Sequence, residues 1–87
     1  MGEIMYKNRS ESGQNNICGK KVKCFREQLP EKTSQKMFAD MLQIAGLDVD
    51  KNAIQRIESG QRFVTDIELK IIAKVLQVSY QELLDEE

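Results

Sequence analysis

The chain has 87 residues, 40% of them apolar, with one proline, no tryptophan and no histidine; a chain this short forms one small domain, burying about 60% of its extended-chain surface. The absence of histidine removes any Ser–His or Cys–His pair, and no Gly-rich phosphate loop occurs, so an enzyme is not expected. The net charge of −1 hides an uneven distribution: residues 17–62 carry nine Lys/Arg against six Asp/Glu, and residues 63–87 carry two against six, leaving a middle able to meet phosphates and an acidic tail facing away.

Residues 1–16 (MGEIMYKNRSESGQNN) are polar and without a sustained period, and read as a flexible N-terminal arm preceding a folded domain over 17–87. From Ile17 the pattern changes. Ile17, Val22, Phe25 and Leu29 suit the inner face of a first helix, with Lys20, Lys21, Lys23 and Arg26 around it. Pro30 ends that helix, because the residue before a proline avoids the helical region. A second helix starts near Thr33 or Ser34, with Phe38, Met41, Leu42 and Ala45 at three- and four-residue spacing. Gly46 is placed to stop it, and Leu47 to pack back over its last turn.

The third helix, Asp50 to Gly60 (DKNAIQRIESG), has both ends written into it. The Asp50 carboxylate can accept from backbone N–H groups one turn on. Gly60 can take the left-handed conformation that closes a helix. Ile54 and Ile57 mark the buried face, while Lys51, Asn52, Gln55 and Arg56 fall largely on the rest and all carry donors. Such a helix suits reading base edges in a major groove; a solvated amphipathic helix would show the same periodicity.

Two further helices follow. Thr65-Asp-Ile-Glu68 and Ser79-Tyr-Gln-Glu82 are capping boxes, flanked by Val64/Leu69 and Val78/Leu83 at hydrophobic-staple positions; Val49 and Ile54 repeat the staple around Asp50. Ile67, Ile71, Ile72, Val75 and Leu76 supply a wide core stripe between the boxes. The expected class is all-α, with five short helices.

Cys18 and Cys24, if helical, lie about 9 Å apart along the axis, beyond a disulfide's reach. Two thiols without a histidine also make a poor zinc site. Reduced cysteines and no metal or cofactor are expected. No apolar run approaches the ~20 residues of a membrane span. No signal peptide opens the chain, and Tyr6 stands where myristoylation needs Ser or Thr. A cytoplasmic protein is expected.

With the helices placed, residues 17–87 resemble the Cro/repressor-like (XRE-family) helix-turn-helix proteins. The match is strongest at IQRIESGQR (Ile54–Arg62) and in TDIELKIIAKVLQVSYQELL, and weaker at GKKVKCFRE and SQKMFAD. The resemblance implies a five-helix lambda-repressor-like domain that binds double-stranded DNA, most often as a repressor. It implies that Lys51, Asn52 and Arg56 face base edges and that Ala53 sits near the groove floor. It implies phosphate contacts for Gln35, at the start of the second helix, and for Ser59 and Arg62, around the turn at Gly60. Glu58 matches an acid that is structural in the family. The chain departs from the pattern between Ala39 and Val49, which are ten residues apart; helix two and the turn after it are lengthened. The loop LPEKTS also runs long, and Gln77 stands where the family often has a glycine.

Other readings accompany each site. Arg56 can pair bidentately with guanine, or form an ion pair with Asp40 or Glu58. Asn52 suits adenine, or satisfies its own helix terminus. Lys51 serves base, phosphate or solvent. Lys20, Lys21 and Lys23 read as a solvated face. The expected function is a dimeric, sequence-specific transcriptional regulator on a palindromic operator. The alternative is an antitoxin-like or regulatory module that binds a protein partner through its acidic C-terminal helices.

Overall fold

The computed structural model describes residues 13–85, and within them the chain forms five α-helices: α1 (Gly19–Glu27), α2 (Gln35–Ile44), α3 (Lys51–Glu58), α4 (Asp66–Leu76) and α5 (Tyr80–Leu84). The arm reading for residues 1–12 lies outside the described residues.

Local chemistry fixes most helix ends. Ser34 accepts from Met37 N–H at 3.1 Å, and Asp50 accepts from Ala53 N–H at 2.8 Å. Both capping boxes close. Thr65 and Glu68 exchange backbone-to-side-chain bonds at 3.2 and 3.0 Å, as do Ser79 and Glu82 at 3.0 and 2.7 Å. Thr33 is no cap: it is buried, and its carbonyl oxygen accepts from the Arg26 guanidinium. At the C-termini, Gly46 and Gly60 take φ of 104° and 84°. Each closes a Schellman turn: Leu47 N–H donates to Leu42 O and Gln61 N–H to Arg56 O, both at 2.8 Å. Gln77 fills the same role after α4 at φ 60°, with Val78 N–H donating to Ala73 O.

The core gathers one stripe from every helix: Val22 of α1, Phe38, Ala39 and Leu42 of α2, Ile54 and Ile57 of α3, Ile72, Ala73 and Leu76 of α4 and Leu83 of α5, with Cys18 and Val49 from the flanking turns. α3 packs against both α1 and α2, and α5 against α1 and α4. The α1–α3 approach is close enough that a Cβ on Gly19 would overlap the Ile57 carbonyl oxygen. Residues just before α1 lock the same contact. Asn16 accepts from Gly19 N–H and donates to the carbonyls of Ile57 and Arg62, while Asn15 donates through its backbone and side chain to Gly60 and Gln61. Asn15 and Asn16, on the arm side of the boundary drawn at Ile17, are thus tied to the turn after α3.

Four core placements differ from the sequence reading. Cys18 is buried in place of Ile17, because Cys18, at the start of α1, stands four positions before Val22 and shares its inward face, whereas Ile17 stands five before it. Arg26, read as lying around the apolar face of the first helix, is buried with a partner. Ile67 is 69% exposed, since the inner side of α4 is already filled by Ile72, Ala73 and Leu76. Ala45 is exposed, because α2 ends at Ile44.

Candidate nucleic-acid interface

α3 is fixed along one side and open along the other. At about 100° per residue, Asn52, Gln55, Arg56 and Ser59 cluster opposite Ile54 and Ile57, and all four are exposed. Lys51 is exposed on one flank and Ala53 half-buried on the other, packed against the core. The side chains of Lys51, Asn52, Gln55 and Arg56 make no hydrogen bond or ion pair with the described residues. The outward centre thus holds Gln55, whose donors were visible in the sequence but which the family pattern did not mark, whereas Ala53 sits off-centre. Helical angle from Ile54 was the signal that separates them.

The arginine pairings decide which cation is available. Arg26 pairs with Glu58 through two bonds, Nε to Oε2 at 2.7 Å and Nη2 to Oε1 at 3.1 Å, and gives Nη1 to Thr33 O. The hydrogen bond to Glu58 raises the Arg26 pKa against the opposing effect of burial. Arg62 pairs with Glu68 at 3.2 and 3.0 Å. Burial pushes the Glu68 carboxyl upward, but bonds from Arg62 and Thr65 outweigh it and hold the pKa below its usual value. Lys36 takes Asp40. Both acids considered as partners for Arg56 are therefore occupied. Of the three arginines among the described residues, Arg56 alone is uncommitted.

The phosphate candidates are placed differently from one another. Gln35 is the first residue of α2, half-buried, and its amide Nε2 donates to Glu58 Oε1 at 2.9 Å. An amide nitrogen carries two hydrogens, so this bond orients the group and leaves one donor. Ser59 donates to Arg56 O within its own helix and is exposed. Arg62 is half-buried and engaged by Glu68, so a phosphate must share it. Glu58, the last residue of α3, is buried and held by Arg26 and Gln35.

No metal-binding group of His, Cys, Asp and Glu occurs among the described residues, and no helix there is long and apolar enough to cross a membrane. Both cysteines are free, Cys18 buried with its thiol pKa raised by burial and Cys24 exposed. Ile67, Tyr80 and Leu84 form an exposed apolar surface between α4 and α5, around a shallow depression of about 430 Å³ that also takes in Asp66, Leu69 and Lys70.

A helix-turn-helix family model matches residues 25–83. Among solved structures the chain is similar to the P22 c2 repressor protein, crystallised in complex with a synthetic operator: 24% identity, a TM-score of 0.67, and coverage of 83% of this chain and 98% of that one. No curated protein sequence matches it significantly. The family match spans α2 through most of α5 and includes the whole of the open helix, and the solved neighbour shares the five-helix fold; the chain belongs to the Cro/repressor-like helix-turn-helix family.

Proposed function

We propose that this DNA-binding transcription regulator places α3 in the major groove and acts as a repressor, as a dimer on a palindromic operator. The observation that carries the reading is the pairing pattern around α3: Arg26, Lys36 and Arg62 are each paired with an acid, whereas Lys51 and Arg56 are not, and the side chains of Lys51, Asn52, Gln55 and Arg56 stand exposed and uncommitted. Arg56 suits guanine O6/N7, and Asn52 and Gln55 suit adenine. Lys51 serves a base or the adjoining phosphate, and Ala53 offers a methyl group at the edge of the contact. Gln35 and Ser59 position the protein on phosphates, with Arg62 as a shared contact. The P22 c2 repressor, similar in fold, was crystallised on an operator, which supports double-stranded DNA as the partner.

The apolar surface of Ile67, Tyr80 and Leu84 supports self-association, two copies setting two α3 helices one turn of DNA apart, about 34 Å. Repression then follows from occlusion of promoter DNA in the cytoplasm. The same surface also favours the second reading, a module binding a protein partner through α4 and α5. Selection of bound fragments from random duplex DNA tests the first: a palindromic consensus is expected, and absence of any enrichment rejects DNA reading. A salt titration on the selected duplex should show affinity falling with a log–log slope set by the phosphates neutralised.

A further inference from the structure

In a helix-turn-helix the two helices are joined by about three or four residues; here residues 45–50, six of them, separate α2 from α3. A longer connection needs something to hold the angle of the second helix. The buried Val49 side chain is one fixed point, and its N–H, donating to Leu47 O at 3.0 Å, is another. Both hold the residue on its N-terminal side and in the core, and the peptide plane at Val49–Asp50, beyond them, can still turn. That rotation is stopped by Gln43, whose Nε2 donates to Val49 O at 2.6 Å. Gln43 stands on the last turn of α2, is itself exposed, and belongs to the stretch that lengthens α2. The carbonyl it holds immediately precedes the Asp50 cap, Lys51 and Asn52.

We infer that Gln43 is a positioning residue for DNA reading: it braces the long turn and so sets the direction in which α3 enters the groove. This rests on the proposed reading of α3. Base contacts tolerate misplacement of only about 0.5 Å, whereas phosphate contacts reached by flexible side chains tolerate more. Loss of the brace therefore lowers discrimination rather than general affinity.

The test compares the full chain with Gln43→Ala, Gln43→Glu and Gln43→Lys on the selected duplex and on a scrambled one. Amide exchange along α3 and α4 is measured in the DNA-free proteins. Gln43→Glu keeps the shape without the donor; Gln43→Lys restores a donor, and its added charge acts on both duplexes alike. The expected result is a fall of about 3–10-fold in the selected-to-scrambled affinity ratio for Ala and Glu, with Lys within about twofold of the parent. Exchange should quicken at Ile54 and Gln55 but not at Ile72 and Ala73. A ratio unchanged in both Ala and Glu overturns the proposal, and so does faster exchange spread equally through α4, which would mark general destabilisation. If the parent chain prefers no duplex, the DNA reading fails, and the brace is then judged by exchange alone: no change at Ile54 and Gln55 in Ala or Glu rejects it.

Discussion

At the scale of residues, the buried Arg26–Glu58 pair has the largest stake in stability. Side-chain exposures of 10% and 4% put both charges out of water, where each needs the other. Arg26→Met should destabilise the domain by ~3–5 kcal/mol by stranding the Glu58 carboxylate, and adding Glu58→Leu should recover much of the loss; thermal melts of the single and double variants decide it. Glu68 gives a pH signature. Its folded pKa lies below the ordinary value of 4.5, so the stability it contributes is present above that value and is lost as pH falls through the folded pKa. Arg62→Gln should flatten this acid-side dependence, measured by denaturant midpoints across the acidic range. For recognition, Arg56→Ala should cost ~1–3 kcal/mol on the selected duplex and relax choice at one position per half-site. Gln35→Ala should weaken all sequences by similar factors. Equal losses for Arg56→Ala on selected and scrambled DNA would remove its base-reading role.

At the scale of elements, four of the five helices start at a side-chain cap (Ser34, Asp50, Thr65 and Ser79), and three share one staple-and-cap design. α4 departs from the rule at its end. Gln77 occupies the left-handed region at φ 60°, which costs a residue with a Cβ ~1–2 kcal/mol; glycine avoids this at some entropic cost. Gln77→Gly should therefore stabilise by ~0.5–1 kcal/mol, read as a raised thermal midpoint with DNA affinity unchanged. A lowered midpoint would mean that the Gln77 side chain contributes more than its backbone conformation costs. Gly19 is constrained differently, by proximity: its missing Cβ is what lets α1 lie against the carbonyl end of α3.

At the scale of the whole molecule, α5 divides its leucines. Leu83 is 0% exposed and seals the monomer core, whereas Leu84 is 39% exposed beside Tyr80 at 50% and Ile67 at 69%. Of the apolar residues of α5, Tyr80 and Leu84 therefore stay at the surface while Leu83 does not, and Ile67 of α4 joins them. Ile67→Asp should shift sedimentation at tens of micromolar towards monomer, or yield one protein per half-site DNA without cooperative filling of the palindrome, while leaving the thermal midpoint of the monomer nearly unchanged. A dimer equally stable in this variant would place the interface elsewhere.

Determined by the sequence alone were the five helices, the caps of α3, α4 and α5, the Gly46 and Gly60 stops, and the buried Ile54–Ile57 edge of α3, because each depends on residues within about four positions of one another. The donors Lys51, Asn52, Gln55 and Arg56 were legible for the same reason. Only the tertiary structure decided which charges are spent. Arg26 meets Glu58 thirty-two positions away, Gln35 meets the same carboxylate, and Asn15 and Asn16 close onto the turn after α3 from more than forty positions off. It also decided that Ile67 faces out, since a helix with apolar residues on more than one side buries only the side that neighbouring helices reach. Ion-pair choice and core face are settled by contacts distant in sequence, and local periodicity has no term for them.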